Sequence, residues 1–321
     1  MTILITGSAG HLGEALMRTL RAAGRPARGL DVLPSPFTTH VGSIADPDFV
    51  RDAMAGVSAV IHSATLHKPH VATHPRQAFV DVNIAGTLTL LEAAVAANVG
   101  AFVYTSTTSA FGSALTPAPG EPAAWITEDV VPVPRNIYGA TKVAAESLCE
   151  LFHRDRGMPV IVLRTSRFFP EEDDVAAVAA AYALANAQAN ELLYRRADIE
   201  DVVIAHLLAM KSAGEIGFGR YIVSATTPFG REDLPELRAD APAVVRRQFP
   251  DCEALYAANG WTLFPSLDRV YVNDRARSAL GWEPKHDFRR VLDCLAKGED
   301  FRSELAKAVG VKGYHRSSPP P

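Results

Sequence analysis

The chain opens on an unbroken apolar run, Met1-Thr-Ile-Leu-Ile-Thr6, of the kind that forms a buried strand. Glu14-Ala-Leu-Met-Arg-Thr-Leu20 then spaces its apolar positions for one face of an amphipathic helix. The same alternation continues. Ala27–Asp31 and His40–Ile44 read as strands, Asp46 to Ala55 as a helix, and Ala59–His62 as another strand. Gln77 to Asn98 has long helical periodicity, with Phe79, Val82, Leu88, Leu91 and Val95 on one side. Ala101–Thr105 is the next strand, and a helix opens at Asn136-Ile-Tyr138 and runs through Glu146, Leu148 and Leu151. Val175–Asn190 reads as a helix of small residues.

The junction between the first strand and helix is Gly7-Ser-Ala-Gly10-His-Leu-Gly13. A strand, a glycine turn and a helix N-terminus together suit a pyrophosphate, because backbone N–H groups and the helix dipole favour its charge. The spacing is Gly-x-x-Gly-x-x-Gly, and a turn of this kind can also be purely structural. The second strand ends in Asp31, 18 residues after Gly13, where an acid can hold the adenosine ribose hydroxyls. An acid there repels the extra phosphate of NADP, and Val32-Leu-Pro offers no cation to hold it, so the expected cofactor is NAD. Arg28 is a candidate phosphate ligand expected to point to solvent, and Asp31 has the alternative role of a turn residue before Pro34. Ser63-Ala64-Thr65 makes a small-residue turn against which a cofactor could lie.

The strand end Thr105-Ser-Thr-Thr-Ser109 is rich in hydroxyls, and Tyr138 and Lys142 stand four apart on one helix face. A tyrosine loses its proton near pH 10, and an adjacent ammonium stabilises the phenolate. Hydride transfer at an alcohol needs such a group, since the hydroxyl proton must leave when the C–H hydride leaves. A hydroxyl from the 105–109 run can hold the same oxygen.

Composition narrows the classes. With 321 residues the chain can bury one large or two modest domains, and its net charge of −4 gives no footprint for nucleic acid. No membrane-spanning run or signal peptide is expected, and the reading is a soluble, cytoplasmic chain without membrane partners. Cys149, Cys252 and Cys294 are far apart and suggest reduced thiols. His62, His67, His70 and His74 include pairs at metal-ligand spacing, but Pro69 and Pro75 interrupt them and no acid or cysteine cluster accompanies them. No metal site is assigned, and a substrate-side loop is the alternative. Ser317-Ser-Pro-Pro-Pro321 should be extended or disordered.

These motifs together resemble the extended short-chain dehydrogenase/reductase family, the NAD-dependent epimerases and dehydratases. The resemblance rests on Thr6–Gly13, Leu30-Asp31, Val60–Ala64, Val82-Asn-Ile-Ala-Gly-Thr87, Val103–Thr107, Tyr138-Gly-Ala-Thr-Lys142, Arg164 and Leu280-Gly-Trp-Glu-Pro284. It implies an α/β fold, a doubly wound, Rossmann-like parallel sheet with a smaller C-terminal substrate domain. Residues 1–165 would be the NAD-binding domain, with a return segment near 195–224. Residues 166–321 would be mainly substrate domain and tail. The resemblance places Gly7, Gly10, His11, Leu12 and Gly13 at the pyrophosphate and Asp31 at the ribose. Ile44 falls at the adenine, while Ser43 replaces the family's acid there. Ser63, Ala64, Asn83, Thr105 and Ser106 fall beside the cofactor. Thr107, Tyr138 and Lys142 are the implied catalytic group, with Lys142 also on the nicotinamide ribose. A homodimer through Gln77–Asn98 and Tyr138–Arg156 is the family's frequent assembly, although burial within one chain would produce the same apolar faces.

The chain departs from the family after Arg164. Arg167 replaces the asparagine of Asn-x-Tyr-Gly-Pro, and Phe169-Pro170-Glu171 stands where Tyr-Gly-Pro is usual. Arg167 could hold a substrate anion or pair with Glu171–Asp174, and Arg195 or Arg196 could also face an anion. Thr108-Ser109 replaces the Asp-Glu pair of the sugar dehydratases, which argues against dehydration. The expected function is NAD-dependent redox chemistry at a secondary alcohol, with a nucleotide-sugar 4-epimerase as the first reading and a small-molecule sugar or sugar derivative as partner. A dehydrogenase or reductase of a non-nucleotide sugar, sugar acid or other hydroxy substrate is the alternative. A non-catalytic cofactor sensor on the same fold is the third.

Overall fold

The computed structural model describes residues 1–171 and 176–313. Its strands are β1 Thr2–Thr6, β2 Ala27–Asp31, β3 His40–Val41, β4 Val57–His62, β5 Ala101–Thr107, β6 Ala124–Ile126, β7 Val160–Thr165, β8 Phe218–Val223 and β9 Arg269–Tyr271. Seven form one parallel sheet in the order β3-β2-β1-β4-β5-β7-β8, and β6 pairs with β9 in a small parallel sheet. The order reverses beside β1, where β2 lies on one side and β4 on the other, so a crevice opens at the strands' carboxyl ends.

Helices cover both faces, as a parallel sheet requires. α1 (His11–Ala22) packs on one face, and α2 (Pro47–Met54), α3 (Arg76–Ala96) and α4 (Ile137–Arg156) on the other. α5 (Ala176–Ala181) and α6 (Leu184–Leu192) follow β7, and α7 (Ile199–Ile216) returns to the α1 face and leads into β8. The helix starts follow from caps: Asp46 accepts from the N–H groups of Asp48 and Phe49, Asn136 from Gly139, and Asp198 from Glu200.

A second core gathers α6, α8 (Leu234–Gln248), α9 (Cys252–Ala258) and α11 (Phe288–Lys297) around Leu237, Val244, Tyr256, Phe264 and Phe288. The last part of the chain is shared between the cores. α10 (Asp274–Leu280) and α12 (Glu304–Val309) place Ala276, Leu280 and Val309 in the first core. Trp282 is fully buried there and donates its indole N–H to the carbonyl of Asp201 at 3.0 Å. The carboxylate of Asp201 accepts from the backbone of Lys285 and His286. The Leu-Gly-Trp-Glu-Pro stretch is therefore a clasp on the start of α7.

Several elements differ from the pattern. The strand expected over His40–Ile44 stops at Val41, because the Ser43 hydroxyl accepts from Ala45 N and turns the chain toward the Asp46 cap. The expected Gln77–Asn98 helix carries a π-helical stretch at Val80–Ala85 and ends at Ala96, before Asn98 takes a positive φ of 53°. No membrane-spanning run was expected, yet α3 is long and apolar enough to cross one by length and composition. Here its Leu90, Leu91 and Ala94 are buried in the core beneath the sheet. The small-residue helix expected at Val175–Asn190 is two helices that break at Tyr182–Ala183, and Val175 lies outside the described residues. The proline-rich tail lies outside them too. All three cysteines are buried and free.

Candidate active site

The carboxyl ends of β1, β2, β4, β5 and β7 open on one cleft of about 1170 Å³. Its first wall is the glycine turn. Gly7 has φ +74° and donates to the Leu30 carbonyl at 2.8 Å, and a Cβ there would lie 2.8 Å from Ala64 N. Gly10 precedes the first turn of α1, and a Cβ on Gly13 would stand 1.9 Å from the Gly7 carbonyl oxygen. Asp31 accepts from Ala9 N at 3.0 Å and from Leu33 N at 2.9 Å, so the acid is fixed against the same turn. Arg28 points neither to solvent nor into the cleft; its guanidinium donates to the carbonyls of Ala53 and Ala55 at 2.5 and 3.0 Å. Ile44 is buried on the cleft wall against Gly86, while Leu12 and Ala64 also line the cleft. The Ser63 hydroxyl is turned away, donating to the Thr6 carbonyl at 2.7 Å. A glycine turn leading into a helix N-terminus on the cleft, with an acid beside it, fits the dinucleotide that this strand arrangement takes.

Asn83 does not line the cleft. Its side-chain oxygen accepts from Leu66 N at 2.8 Å and Thr65 Oγ1 at 2.9 Å, and its amide reaches the Leu66 carbonyl and Thr141 Oγ1. The π-helical turn carries this side chain across to the loop and to α4, which braces the wall from behind. His62 also leaves the group in which the sequence placed it. It is buried between Thr6 and Thr87 at 2.8 and 2.9 Å, and burial with the charge of Lys142 holds it well below the usual histidine range. His67, His70 and His74 do line the cleft.

The hydroxyl-rich strand end meets the tyrosine and lysine. Tyr138 and Lys142 are both buried, and the Thr107 side chain stands beside the Tyr138 hydroxyl. Thr107 Oγ1 also accepts from Ser109 N at 3.1 Å. Lys142 Nζ donates to the Thr105 carbonyl at 2.6 Å and lies 4.1 Å from the centre of the Tyr104 ring. Burial pushes Tyr138 up to about 12, with the Thr107 side chain opposing it, so Lys142 does not depress the phenol in this state as expected. Burial brings Lys142 itself down to about 7, against the pull of Glu146.

Lys142 gives a stability test. Its pKa falls from 10.5 to about 7 on folding, so between those values the unfolded chain holds a proton that the folded chain lacks. Stability therefore rises with pH across that window at this site, and the cost of burying the ammonium is fully present below about pH 7. Lys142→Met should raise the cofactor-free Tm relative to the parent, most at about pH 6 and least at about pH 10. Thermal melts in which the difference instead grows toward alkaline pH would overturn this account.

Beneath this group lies a feature that the sequence did not reveal. Glu146 is buried one turn beyond Lys142, accepting from Ser106 Oγ at 2.5 Å and from Arg164 at 2.8 to 3.2 Å. The Ser106 side chain thus faces the core pair and not the cleft. Thr105 Oγ1 is likewise occupied, 2.9 Å from His206 Nε2. The continuing i, i+4 step from Tyr138 to Lys142 to Glu146 was the available signal.

The arginines expected to face an anion are tied elsewhere. Arg167 donates to the Glu171 carbonyl at 3.0 Å and lies 3.8 Å from Glu191, which also takes Arg195 at 2.7 Å and Arg196 at 2.8 Å. The Glu171 carboxylate goes to His11 at 2.9 Å and to Lys312 N at 3.0 Å. Burial would raise it, but these partners outweigh that and hold it at about 2. Glu172–Asp174 lie outside the described residues. Phe168 and Phe169 line the cleft, whereas Trp261 packs on the second core. Arg238 and Arg269, which the sequence did not single out, also line the cleft.

Comparison with known proteins agrees with this arrangement. The profile of the NAD dependent epimerase/dehydratase family matches residues 3–223. The uncharacterized protein y4nG of Sinorhizobium fredii is 34% identical over 173 residues, which span 51% of this chain and only 40% of that relative. GDP-6-deoxy-D-mannose reductase of Pseudomonas aeruginosa is 28% identical over 315 residues, covering 94% of this chain and 97% of the reductase. A solved short-chain dehydrogenase/reductase superfamily protein from Agrobacterium tumefaciens, with bound NAD, superposes with a TM-score of 0.65 at 25% identity, over 92% and 96% of the two chains. With its parallel sheet, glycine turn and Tyr138–Lys142 pair, the chain belongs to the NAD-dependent epimerase/dehydratase family and is an NAD-dependent enzyme of the extended short-chain dehydrogenase/reductase type.

Proposed function

We propose that this enzyme moves a hydride between NAD and a secondary alcohol carbon of a sugar or sugar derivative, and that its overall reaction is 4-epimerisation of a nucleotide sugar. The observation that carries the redox step is the meeting of Thr107, Tyr138 and Lys142 in the cleft that also holds the glycine turn and Asp31. NAD, when bound, accepts or returns the hydride. Gly7, Gly10 and Gly13 admit its pyrophosphate, with His11 and Leu12 at the same helix start. Asp31 holds its adenosine ribose and Ile44 packs the adenine. The backbone of Ser63, Ala64, Thr105 and Ser106 forms the wall beside it, and Asn83 positions that wall.

Thr107 and Tyr138 together grip the reacting oxygen. Tyr138 takes its proton as the alcohol is oxidised and returns it on reduction. The proton must pass to the Tyr138 phenolate, which burial disfavours, so Lys142 has to offer its charge to form it and cannot remain wholly on the Thr105 carbonyl.

Epimerisation is supported by how the cofactor end is braced. Lys312 pairs with Glu14 on α1 and donates its N–H to Glu171, tying a late segment to the start of that helix. A cofactor retained through two opposite half-reactions suits such a braced site. Net reduction or oxidation is the second reading, favoured by the near full-length match to a reductase and by the altered segment after Arg164.

Denaturing freshly purified protein and quantifying released NAD(H) separates the two. About one NAD per chain is expected for the epimerase. Protein that arrives empty and binds added NAD weakly would instead support the net reductase, and no NAD binding would overturn both.

A further inference from the structure

His11, at the start of α1, has a partner that the glycine turn does not explain. Its Nε2 lies 2.9 Å from Glu171 Oε1, and the two side chains are only 1% and 5% exposed. Glu171 belongs to Phe169-Pro170-Glu171, where the chain departs from the family pattern. Its Oε1 also accepts from Lys312 N at 3.0 Å, while its Oε2 is buried with no hydrogen-bond donor among the described residues. A carboxylate thus stands one imidazole away from the first residue of the helix read here as the pyrophosphate site. The other charged groups around the pair have partners of their own. Lys312 gives its ammonium to Glu14, which also takes Arg18, and Arg167 donates to the Glu171 carbonyl. His67 approaches from the loop after β4, and the Phe169 ring lies against both it and His11. Behind His11, a small cavity is shared with Arg196, Asp198, His286 and Arg302, which pair with Glu191, Ser303, Glu200 and Asp300 in turn.

A buried carboxylate with one bare oxygen is costly unless a positive charge faces it. Glu171 remains a carboxylate across the working pH range, since it is held at about 2. A pyrophosphate brings further negative charge to the same helix end. Beside a neutral His11 ring, Glu171 opposes that charge. Beside an imidazolium the pair carries no net charge, and the helix dipole acts on the phosphates unopposed. Histidine is the side chain that makes this change between about pH 5 and 8. We propose that His11 takes up a proton from solvent when NAD binds, so that the His11–Glu171 pair makes cofactor affinity depend on pH. The proposal rests on reading the glycine turn as the NAD site and adds a proton to the binding step. Proton and NAD are then reciprocal ligands, so NAD binds more tightly toward acid pH and loses affinity as pH rises.

The test is calorimetric titration of the full chain, stripped of cofactor, with NAD in buffers of different ionisation enthalpy. Affinity should be about 10-fold tighter at about pH 6 than at about pH 8.5, with net proton uptake on binding. Lys142 also changes charge near about pH 7 in this cleft, so the titrations are repeated in Lys142→Met to remove its share. His11→Gln keeps an N–H for Glu171 but cannot take a proton. It should abolish the uptake that remains in Lys142→Met and hold affinity near the parental alkaline value at both pH values. Glu171→Gln should bind NAD more tightly than the parent at about pH 8.5, and it decides alone if His11→Gln does not fold. Equal affinity at the two pH values, proton uptake unchanged by His11→Gln, or no gain from Glu171→Gln would overturn the proposal. NAD binding without these effects sinks this proposal alone, whereas no NAD binding at either pH sinks the cofactor reading beneath it.

Discussion

Tyr138→Phe should lower turnover by about 10²- to 10⁴-fold while leaving NAD affinity near the parental value. The substitution keeps the ring and its packing and removes only the hydroxyl beside Thr107. Hydride transfer would then leave an alcohol proton with no nearby group to receive it. The phenol of the cofactor-free protein sits at about 12, so it is a reluctant base until positive charge approaches. Rate measured against pH should therefore show an acid limb in the parent that is absent in the residual activity of Tyr138→Phe. A protein without turnover whose function is undiminished by Tyr138→Phe would revive the reading of a non-catalytic cofactor sensor. Parallel loss of NAD binding would assign Tyr138 to architecture instead.

Gly13→Ala is the second large effect. The added methyl carbon would lie 1.9 Å from the Gly7 carbonyl oxygen, 2.5 Å from its carbon and 2.8 Å from Ser8 Cα. All three are backbone atoms, so no side-chain rotation relieves the clash and the turn must move away from α1. Overpacking of this kind costs about 1–3 kcal/mol. Because the displaced atoms are those that would meet the pyrophosphate, NAD affinity should fall about 10- to 100-fold, alongside a lower Tm. Titration and a thermal melt on the same sample check both. Parental affinity in a destabilised protein would mean that this turn does not hold the cofactor.

Local chemistry was legible in the sequence wherever one stretch carried it. The glycine turn, the acid closing β2 and the tyrosine–lysine pair each lie within a strand end or a single helical turn, and the cleft brings them together. What escaped depends on distant partners. Asn83 looks like a cofactor contact until the π-helical turn aims it at Leu66 and Thr141. Arg167 looks available until Glu191 is brought across by α6. Glu146 has no conspicuous neighbour in the chain, because its partners Ser106 and Arg164 come from two adjacent strands.

The contact between Lys312 and Glu14 joins residues 298 positions apart. Synthesis runs in one direction, so α1 and its glycine turn are made first and must wait for nearly all the rest before that contact can form. A ribosome-bound chain lacking its last hundred residues can pair β1 with β2 and β4, yet it has no Lys312 to tie to α1. The tie between the two ends of the chain is thus the last part of this region to be made, after the turn and the strands around it.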